Sequence, residues 1–340
     1  MEIQALLELY ATHPGVTALD SLLRKEDAHN ISLKGVNGSA AALVIASLFK
    51  RHPLPLLAIL NDQEEAGYFY HDLTQLLGNE AVLFFPSAYR RDIKYGHIDP
   101  ANEILRTEVL SRLQDTGNTN LIVTYPDALA ERVVEREVLK DNTLKLSVGE
   151  KVDNMFVSDV LDSYGFEAVD YVYEPGQYAL RGSILDVFSF SYEFPYRIDF
   201  FGDEVETIRS FDVETQLSKE KLESIYIVPE LSKGSKGSAS LLRSLAPQTL
   251  IVAKDLAWCK ERIGSIWNEE PVVGDEESFA DQAAMRKKLV MDTEFLREVL
   301  DFRRLHIGTR PMGTADASLT FQTQAQPIFH KNFDRVSETF

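Results

Sequence analysis

In the first third of the chain, short apolar runs alternate with longer amphipathic stretches. The apolar runs have the length of buried strands and lie at 31–34, 54–60, 81–85 and 121–124. The stretches between them repeat apolar side chains at helical spacing, at 39–49, 63–77 and 102–113. Strands and helices that alternate in this way form βαβ units around a parallel sheet. The pattern therefore predicts a doubly wound α/β domain over residues 1–126.

After about residue 126 the pattern changes to short extended segments behind a single helix. The helix is predicted at 157–163, and Gly165 ends it. The segments after it alternate as strands do, at 168–173, 182–190, 196–201 and 205–211. Gly202 and Asp203 form a two-residue connection typical of a tight hairpin between the last two segments. These signals predict a small α+β domain at 127–213.

Mixed α/β character returns in the last third of the chain. Apolar runs at 222–229 and 249–253 predict strands, and residues 277–304 form a charged helical stretch. We expect a second α/β domain at 214–325 and a terminal segment at 326–340. The pattern leaves open whether strands after residue 213 complete the first domain instead.

The acidic balance of the chain narrows the class of its partners. Its 340 residues include 53 acidic and 35 basic side chains, a net charge of −18. Residues 151–220 hold 15 acidic and only five basic residues. Such a surface repels phosphate backbones, so we expect this part of the chain to bind protein rather than nucleic acid. A solvated acidic face without a partner is the alternative.

Cysteine and histidine content argues against a disulfide or a metal centre. Cys259 is the single cysteine, and the seven histidines are scattered without metal-ligand spacing. We expect no metal and no cofactor. The N-terminus lacks the basic start of a signal peptide and no apolar run approaches about 18 residues, so we expect a cytoplasmic protein without a membrane span.

Gly35 opens a turn that has the context of a phosphate-binding loop without its chemistry. The turn follows a predicted strand and leads into a predicted helix, as the P-loop G-x-x-x-x-G-K-[ST] does. Gly38 lies within it, and the positions of the last glycine, the lysine and the hydroxyl residue are taken by Ala40, Ala41 and Ala42. The cation for the phosphates and the Mg²⁺ ligand are missing. The sequence predicts either a degenerate P-loop or a plain glycine turn before a buried helix.

Two motifs in the middle of the chain resemble the second domain shared by the excision-repair protein UvrB and the bacterial transcription-repair coupling factors. They read R-G-S-I-L-D-V-F at 181–188 and P-Y-R-I-D-F-F-G-D-E-V-E-T-I-R-S-F-D at 195–212. Further segments at 84–87, 99–100 and 163–166 are similar to the coupling factors in the same order. The alanines of the degenerate P-loop, and a stretch at 89–99 too short for the damage-probing hairpin of UvrB, favour the coupling factors.

The resemblance implies both a fold and a role. The fold would be two degenerate P-loop-type, RecA-like α/β domains that flank the small α+β domain. The role would be recruitment of UvrA without catalysis, with contacts at Arg181, Gly182, Tyr178 and Phe188. It further implies that the full-length protein is an ATP-dependent DNA translocase with RNA polymerase and double-stranded DNA as partners. Residues 326–340 would then begin the connector to the C-terminal part of that longer protein. We expect this chain to be monomeric.

Two departures from the resembled pattern bear on the UvrA contact. Glu167 and Ala179 stand where relatives carry arginine, so we expect a changed or smaller footprint. A structural role for Arg181, paired with Asp186 or Glu174, is the alternative to a contact role. Strand alternation leaves room for an exposed aromatic anchor among four phenylalanines, at positions 188, 200, 201 and 211.

Two alternative functions, an enzyme and a DNA-binding domain, compete with the recruitment of UvrA. An active UvrB-related ATPase is opposed by the alanines at 40–42. A damaged-DNA-binding domain would rest on one basic and aromatic cluster at 89–95, since aromatic rings stack on bases while arginine and lysine hold phosphates. A loop that packs against a neighbouring domain is the alternative reading of that cluster.

Overall fold

The computed structural model describes residues 3–25, 28–89, 99–114, 119–229, 238–268, 286–308 and 311–324. Its strands are β1 (Asn30–Lys34), β2 (Leu56–Ile59), β3 (Val82–Phe84), β4 (Leu121–Thr124), β5 (Val133–Val134), β6 (Leu144–Ser147), β7 (Glu167–Ala168), β8 (Gln177–Arg181), β9 (Ile184–Val187), β10 (Tyr196–Phe201), β11 (Glu204–Phe211), β12 (Ser218–Leu222), β13 (Ser224–Ile227), β14 (Ser238–Ala239), β15 (Leu250–Ala253), β16 (Arg303–His306) and β17 (Ala317–Thr320). Its helices are α1 (Ile3–Ala11), α2 (Pro14–Lys25), α3 (Ala40–Arg51), α4 (Gln63–Leu77), α5 (Pro100–Arg112), α6 (Pro126–Leu129), α7 (Arg136–Asp141), α8 (Asn154–Ser163), α9 (Leu256–Asn268) and α10 (Asp292–Val299).

A seven-stranded sheet in the order β17-β1-β16-β15-β2-β4-β3 forms the centre of the larger unit. Every pair in it is parallel. Strands β2, β4 and β15 are buried along their whole length, as expected for parallel strands that are covered on both faces. The α/β class expected from the sequence is confirmed for this part of the chain.

The sheet corrects the expectation of two separate α/β domains. Strands β15 and β16 lie between β1 and β2, in a register that pairs Ile31 with Leu305 and Leu57 with Ile251. One cluster of buried apolar side chains runs from Leu7 to Phe321. Without the late strands, β1 and β2 would each lose a neighbour and leave backbone N–H and C=O groups along that edge unpaired. The arrangement observed is the one in which late strands complete the first domain.

A six-stranded sheet in the order β12-β11-β10-β9-β8-β7 forms the second unit. It is antiparallel except for the β7–β8 pair. Val157 and Leu161 of α8 share its apolar core with side chains of the strands. The predicted hairpin is confirmed as β10 and β11, joined through Gly202 at φ +65°.

The boundaries of this second unit differ from those expected at 127–213. Elements α6, β5 and α7 precede it, and their side chains Leu129 and Leu139 belong to the core of the larger unit. Strands β12 and β13 follow residue 213 yet pair with β11 and β6. Because Leu144 pairs directly with Ile227, the chain enters and leaves the unit at one point. The unit therefore spans residues 144–227.

Several expectations fall wholly or partly outside the described residues. The terminal segment 326–340 lies outside them, as does the basic and aromatic cluster apart from Tyr89. Residues 269–285 also lie outside, and the described remainder of the stretch expected to be helical at 277–304 contains the helix α10, followed by the beginning of β16. No helix in the described ranges is long and apolar enough to cross a membrane.

Candidate partner-binding face and the glycine turn

The sheet face opposite α8 carries Arg181 in an ion-pair network around a buried carboxylate. Asp186 has a side chain only 1% exposed and lies opposite Arg197 in the β9–β10 register. The Arg197 guanidinium donates from Nε to Asp186 Oδ1 at 2.6 Å and from Nη2 to Oδ2 at 2.8 Å. The Arg181 Nη2 group donates to the same Oδ2. The predicted alternative, a structural pairing of Arg181 with Asp186, is therefore observed.

Arg181 nevertheless remains accessible from solvent. Its side chain is 38% exposed. Its Nη1 group donates to the carbonyl oxygen of Asp170 at 2.6 Å, and its guanidinium lies 5.3 Å from the centre of the Tyr171 ring. Arg181 thus connects the end of β8 to the segment that follows β7, and part of its surface is free for a partner.

Tyr178 and Phe188 are buried, each 6% exposed, which differs from the exposed position expected for a partner contact. The Tyr178 hydroxyl donates to Asp162 Oδ1 at 2.7 Å, and burial together with this hydrogen bond raises the Tyr178 pKa to about 12. Phe188 packs with Val172 and Ala179 in a separate small cluster on the opposite sheet face. Little of either side chain is open to a partner in this structure, and a contact of either with a partner stays a prediction.

Gly182 occupies the tip of the turn between β8 and β9. Its φ of +64° lies in the left-handed region that favours glycine, and the space around its Cα is open. Its carbonyl oxygen accepts a hydrogen bond from Asn154 Nδ2 at 3.1 Å. The turn geometry explains the glycine, and a contact of Gly182 with a partner stays a prediction.

Sequence reasoning missed two exposed aromatic side chains beside Arg181. Tyr171 is 57% exposed and Tyr173 is 59% exposed, while Val172 between them is buried. The alternation Tyr-Val-Tyr was predicted as part of a strand at 168–173, but strand β7 ends at Ala168. Alternation was the signal, because it places both tyrosines on the side away from the core. We call residues 169–174 the tyrosine segment.

Among the four candidate phenylalanines, only Phe201 is an exposed side chain. It is 79% exposed at the end of β10, whereas Phe188, Phe200 and Phe211 are buried. Phe201 lies at the tip of the β10–β11 hairpin, beside Gly202. It is therefore an exposed aromatic at the hairpin tip, outside the tyrosine segment.

The glycine turn between β1 and α3 is contacted by residues from the end of the described chain. Gly35 and Gly38 have φ values of +70° and +55°, and a Cβ on Gly35 would collide with the carbonyl oxygen of Phe321. The Thr323 hydroxyl accepts from the Asn37 backbone N–H at 2.8 Å and donates to the Gly35 carbonyl oxygen at 2.8 Å. A backbone donor of the kind that cradles phosphate in a P-loop is therefore already bonded.

The residues around this turn supply helix packing in place of phosphate chemistry. Helix α3 begins at Ala40, Ala41 is half-buried, and Ala42 is fully buried. The acidic candidate after β15, Asp255, accepts a hydrogen bond from the Trp258 backbone N–H at 2.9 Å at the start of α9. No group of three or more histidine, cysteine or acidic side chains placed to hold a metal occurs among the described residues.

Comparison with known proteins links both units to one group of repair proteins. Residues 144–232 match the family described as the UvrB interaction domain. The chain is 29% identical over 222 residues to the transcription-repair-coupling factor of Escherichia coli K12, covering 65% of the chain and 19% of that protein. The Bacillus subtilis factor is 28% identical over 256 residues, covering 71% of the chain and 22% of that protein. The chain is a UvrB-like module related to the transcription-repair-coupling factors.

The resemblance seen in the sequence is thus confirmed for this UvrB-like module. The matched domain at 144–232 coincides with the six-stranded unit at 144–227. The alignment to the Haemophilus influenzae factor, 30% identical over 201 residues, covers 58% of the chain and 17% of that protein. The module spans about a fifth of the length of the curated relatives it matches.

Restoring two P-loop residues is expected to destabilise the UvrB-like module without creating an ATPase. In an Ala41→Lys, Ala42→Thr variant, the larger threonine side chain must fit where Ala42 is fully buried, and overpacking of this kind costs about 1–3 kcal/mol. Urea unfolding and a phosphate-release assay with Mg²⁺ measure the two effects. The Ala41→Lys single variant is the control. Because Ala41 is only half-buried, we expect this variant to lose less stability than the double variant. Mg²⁺-dependent turnover above the parent would contradict the prediction.

Proposed function

We propose that this module is a non-catalytic recruitment surface that binds UvrA through residues 144–227. The single observation that carries the proposal is the match of this unit to the UvrB interaction domain. In a longer protein of the coupling-factor type, this contact would bring nucleotide excision repair to a stalled RNA polymerase. RNA polymerase and double-stranded DNA would be bound by other parts of that protein, an ATP-dependent DNA translocase.

The glycine turn supports the non-catalytic part of the proposal. Alanines replace the lysine and the hydroxyl residue that a P-loop needs, so phosphates would lack about 1.5–3 kcal/mol for each missing charge-assisted bond. Thr323 also engages the Asn37 N–H. A nucleotide would have to displace this segment, and it would find alanine at the position of the P-loop lysine.

The test of the proposal is binding to purified UvrA. We expect the module and UvrA to co-elute in size-exclusion chromatography and the melting temperature of the module to stay unchanged at millimolar MgATP. Absence of co-elution at micromolar concentrations would overturn the recruitment role. A clear thermal shift with MgATP would favour an active ATPase, because a ligand that binds only the folded state raises its stability. Salt-sensitive retention of duplex DNA would favour the DNA-binding alternative.

Arg181→Ala is expected to weaken UvrA binding by at least about 2 kcal/mol, roughly 30-fold, because a partly exposed arginine is a frequent hot-spot residue. Its effect on the free energy of unfolding should stay below about 1 kcal/mol, since Arg197 still holds both oxygens of Asp186. Titration calorimetry and urea unfolding separate the two quantities.

Arg209→Ala is the matched control for this substitution. Arg209 lies on β11, paired with Asp199, and its side chain is 32% exposed. The Arg209→Ala substitution should lower the free energy of unfolding slightly and leave the affinity for UvrA unchanged. If Arg181→Ala lowers stability markedly while affinity per folded molecule is unchanged, Arg181 has only a structural role.

A further inference from the structure

We propose that Tyr171 and Tyr173 form a docking surface for a partner face that carries lysine or arginine side chains, and that Arg181 positions this surface. The inference rests on the proposed function, because it names the chemistry of the UvrA face that this unit would bind. The main contact with UvrA would then lie on the tyrosine segment rather than on the turn between β8 and β9.

The tyrosine segment presents its rings outward from a buried anchor. Val172 is 2% exposed and packs against Ala179 and Phe188, so the segment folds over the sheet face opposite α8. Gln177 Oε1 accepts from the backbone N–H groups of Tyr173 at 2.9 Å and of Glu174 at 3.1 Å. Gln177 thus holds the backbone at Tyr173, and Arg181 holds it at Asp170, next to Tyr171. Tyrosines on a backbone held in this way lose little conformational entropy on binding, which is why tyrosine is favoured in binding surfaces.

Charge around the segment selects a basic partner. Residues 152–180 include six acidic residues and no lysine or arginine. Asp170 and Glu174 are exposed within the tyrosine segment, and Glu167 is exposed just before it. Asp186 is shared by Arg181 and Arg197, so the positive charge of this network is only partly offset, and these three carboxylates in and beside the tyrosine segment outnumber it. Lysine and arginine side chains would find both carboxylates and aromatic faces here, and cations are attracted to each.

Arg181 acts on this surface through its neighbours. Asp186, almost fully buried, holds the guanidinium, which in turn donates to the Asp170 carbonyl oxygen and lies against the Tyr171 ring. Loss of the guanidinium removes the only side chain that joins the end of β8 to the Asp170–Tyr171 backbone among the described contacts. Arg181 is thus a positioning residue for Tyr171.

The central experiment measures the affinity of a Tyr171→Ala, Tyr173→Ala variant for purified UvrA. We expect the Kd to rise at least about 30-fold with an unchanged thermal melt, since both side chains are exposed. The Tyr171→Phe, Tyr173→Phe variant keeps the rings and should bind nearly as well as the parent. Phe201→Ala is the matched control, because it removes an exposed aromatic at the hairpin tip and should leave the Kd unchanged.

A charge-reversal variant tests the chemistry of the partner. Glu167→Lys with Glu174→Lys is expected to raise the Kd by about 10-fold at low salt, and the difference from the parent should shrink as salt rises. Tighter binding of this variant would show that the partner face is acidic and would overturn the inference.

A double-mutant cycle tests the positioning role of Arg181. Arg181→Ala and Tyr171→Ala should be strongly non-additive in UvrA affinity, because each disables the same surface. Additive effects would overturn the positioning role. If the parent binds UvrA and the double tyrosine variant binds equally well, the docking surface is wrong while the proposed function stands. If the parent itself does not bind UvrA, the proposed function fails and takes this inference with it.

Discussion

Replacing residues 144–227 by a short glycine-serine linker is expected to abolish UvrA binding and to leave a folded α/β domain. Leu144 and Ile227 are paired across β6 and β13, so their Cα atoms lie about 5 Å apart and a few residues can bridge the cut. The parallel sheet and its core contain no residue of the excised unit. Circular dichroism, thermal melting and a UvrA titration measure the outcome.

A second deletion, of residues 127–213, serves as its control. This cut removes α6, β5 and α7, whose side chains Leu129 and Leu139 lie in the core of the larger unit, and it strips β12 and β13 of their partners. We expect it not to fold. Retention of UvrA by the folded 144–227 deletion would mean that the contact lies in the α/β domain.

Asp186→Ala is expected to have the largest effect of any single substitution discussed, a loss of about 3–5 kcal/mol in the free energy of unfolding of the second unit. The carboxylate is 1% exposed and receives hydrogen bonds from Arg181 and Arg197. Its removal leaves two guanidinium groups facing each other, and Arg197, only 17% exposed, cannot easily regain water. Urea unfolding followed by a probe within the unit measures the loss.

Two substitutions bracket this effect. Asp186→Asn keeps the shape and an acceptor oxygen and should cost less than the alanine. Asp199→Ala, whose carboxylate is 19% exposed beside Arg209, should cost about 1 kcal/mol or less. A loss below about 1 kcal/mol for Asp186→Ala would show that both arginines find other partners or water, contrary to their role as a buried network.

Local elements followed closely from sequence patterns because their signals lie within a few residues. Helix α4 was predicted at 63–77 and is observed at Gln63–Leu77, where Asp62 caps it by accepting from the Glu65 N–H. The β10–β11 hairpin follows from alternation on either side of Gly202. Cap residues and tight turns are short-range features, so they can be read from the sequence without knowledge of the neighbouring elements.

The candidate site was predicted only in part. The R-G motif pointed to Arg181 and Gly182, which lie at the end of β8 and on the turn after it, and their contact with a partner stays a prediction. Tyr178 and Phe188 point to opposite faces of the sheet, and each face is covered, by α8 and by Val172 of the tyrosine segment. Alternation assigns a side chain to a face, but it cannot tell which face another element will cover.

The sequence by itself determined that the glycine turn lacks the lysine and the hydroxyl residue of a P-loop. It also determined that the second unit is acidic and that the chain contains an α/β fold. These depend on which side chains are present and on their local spacing. Only the tertiary structure decided that β15 and β16 enter between β1 and β2, and that Thr323 reaches the turn at Gly35. The physical reason is that parallel strands pair through backbone hydrogen bonds that any apolar strand can make. The choice of partner therefore rests on the packing of the whole core rather than on a code within each strand.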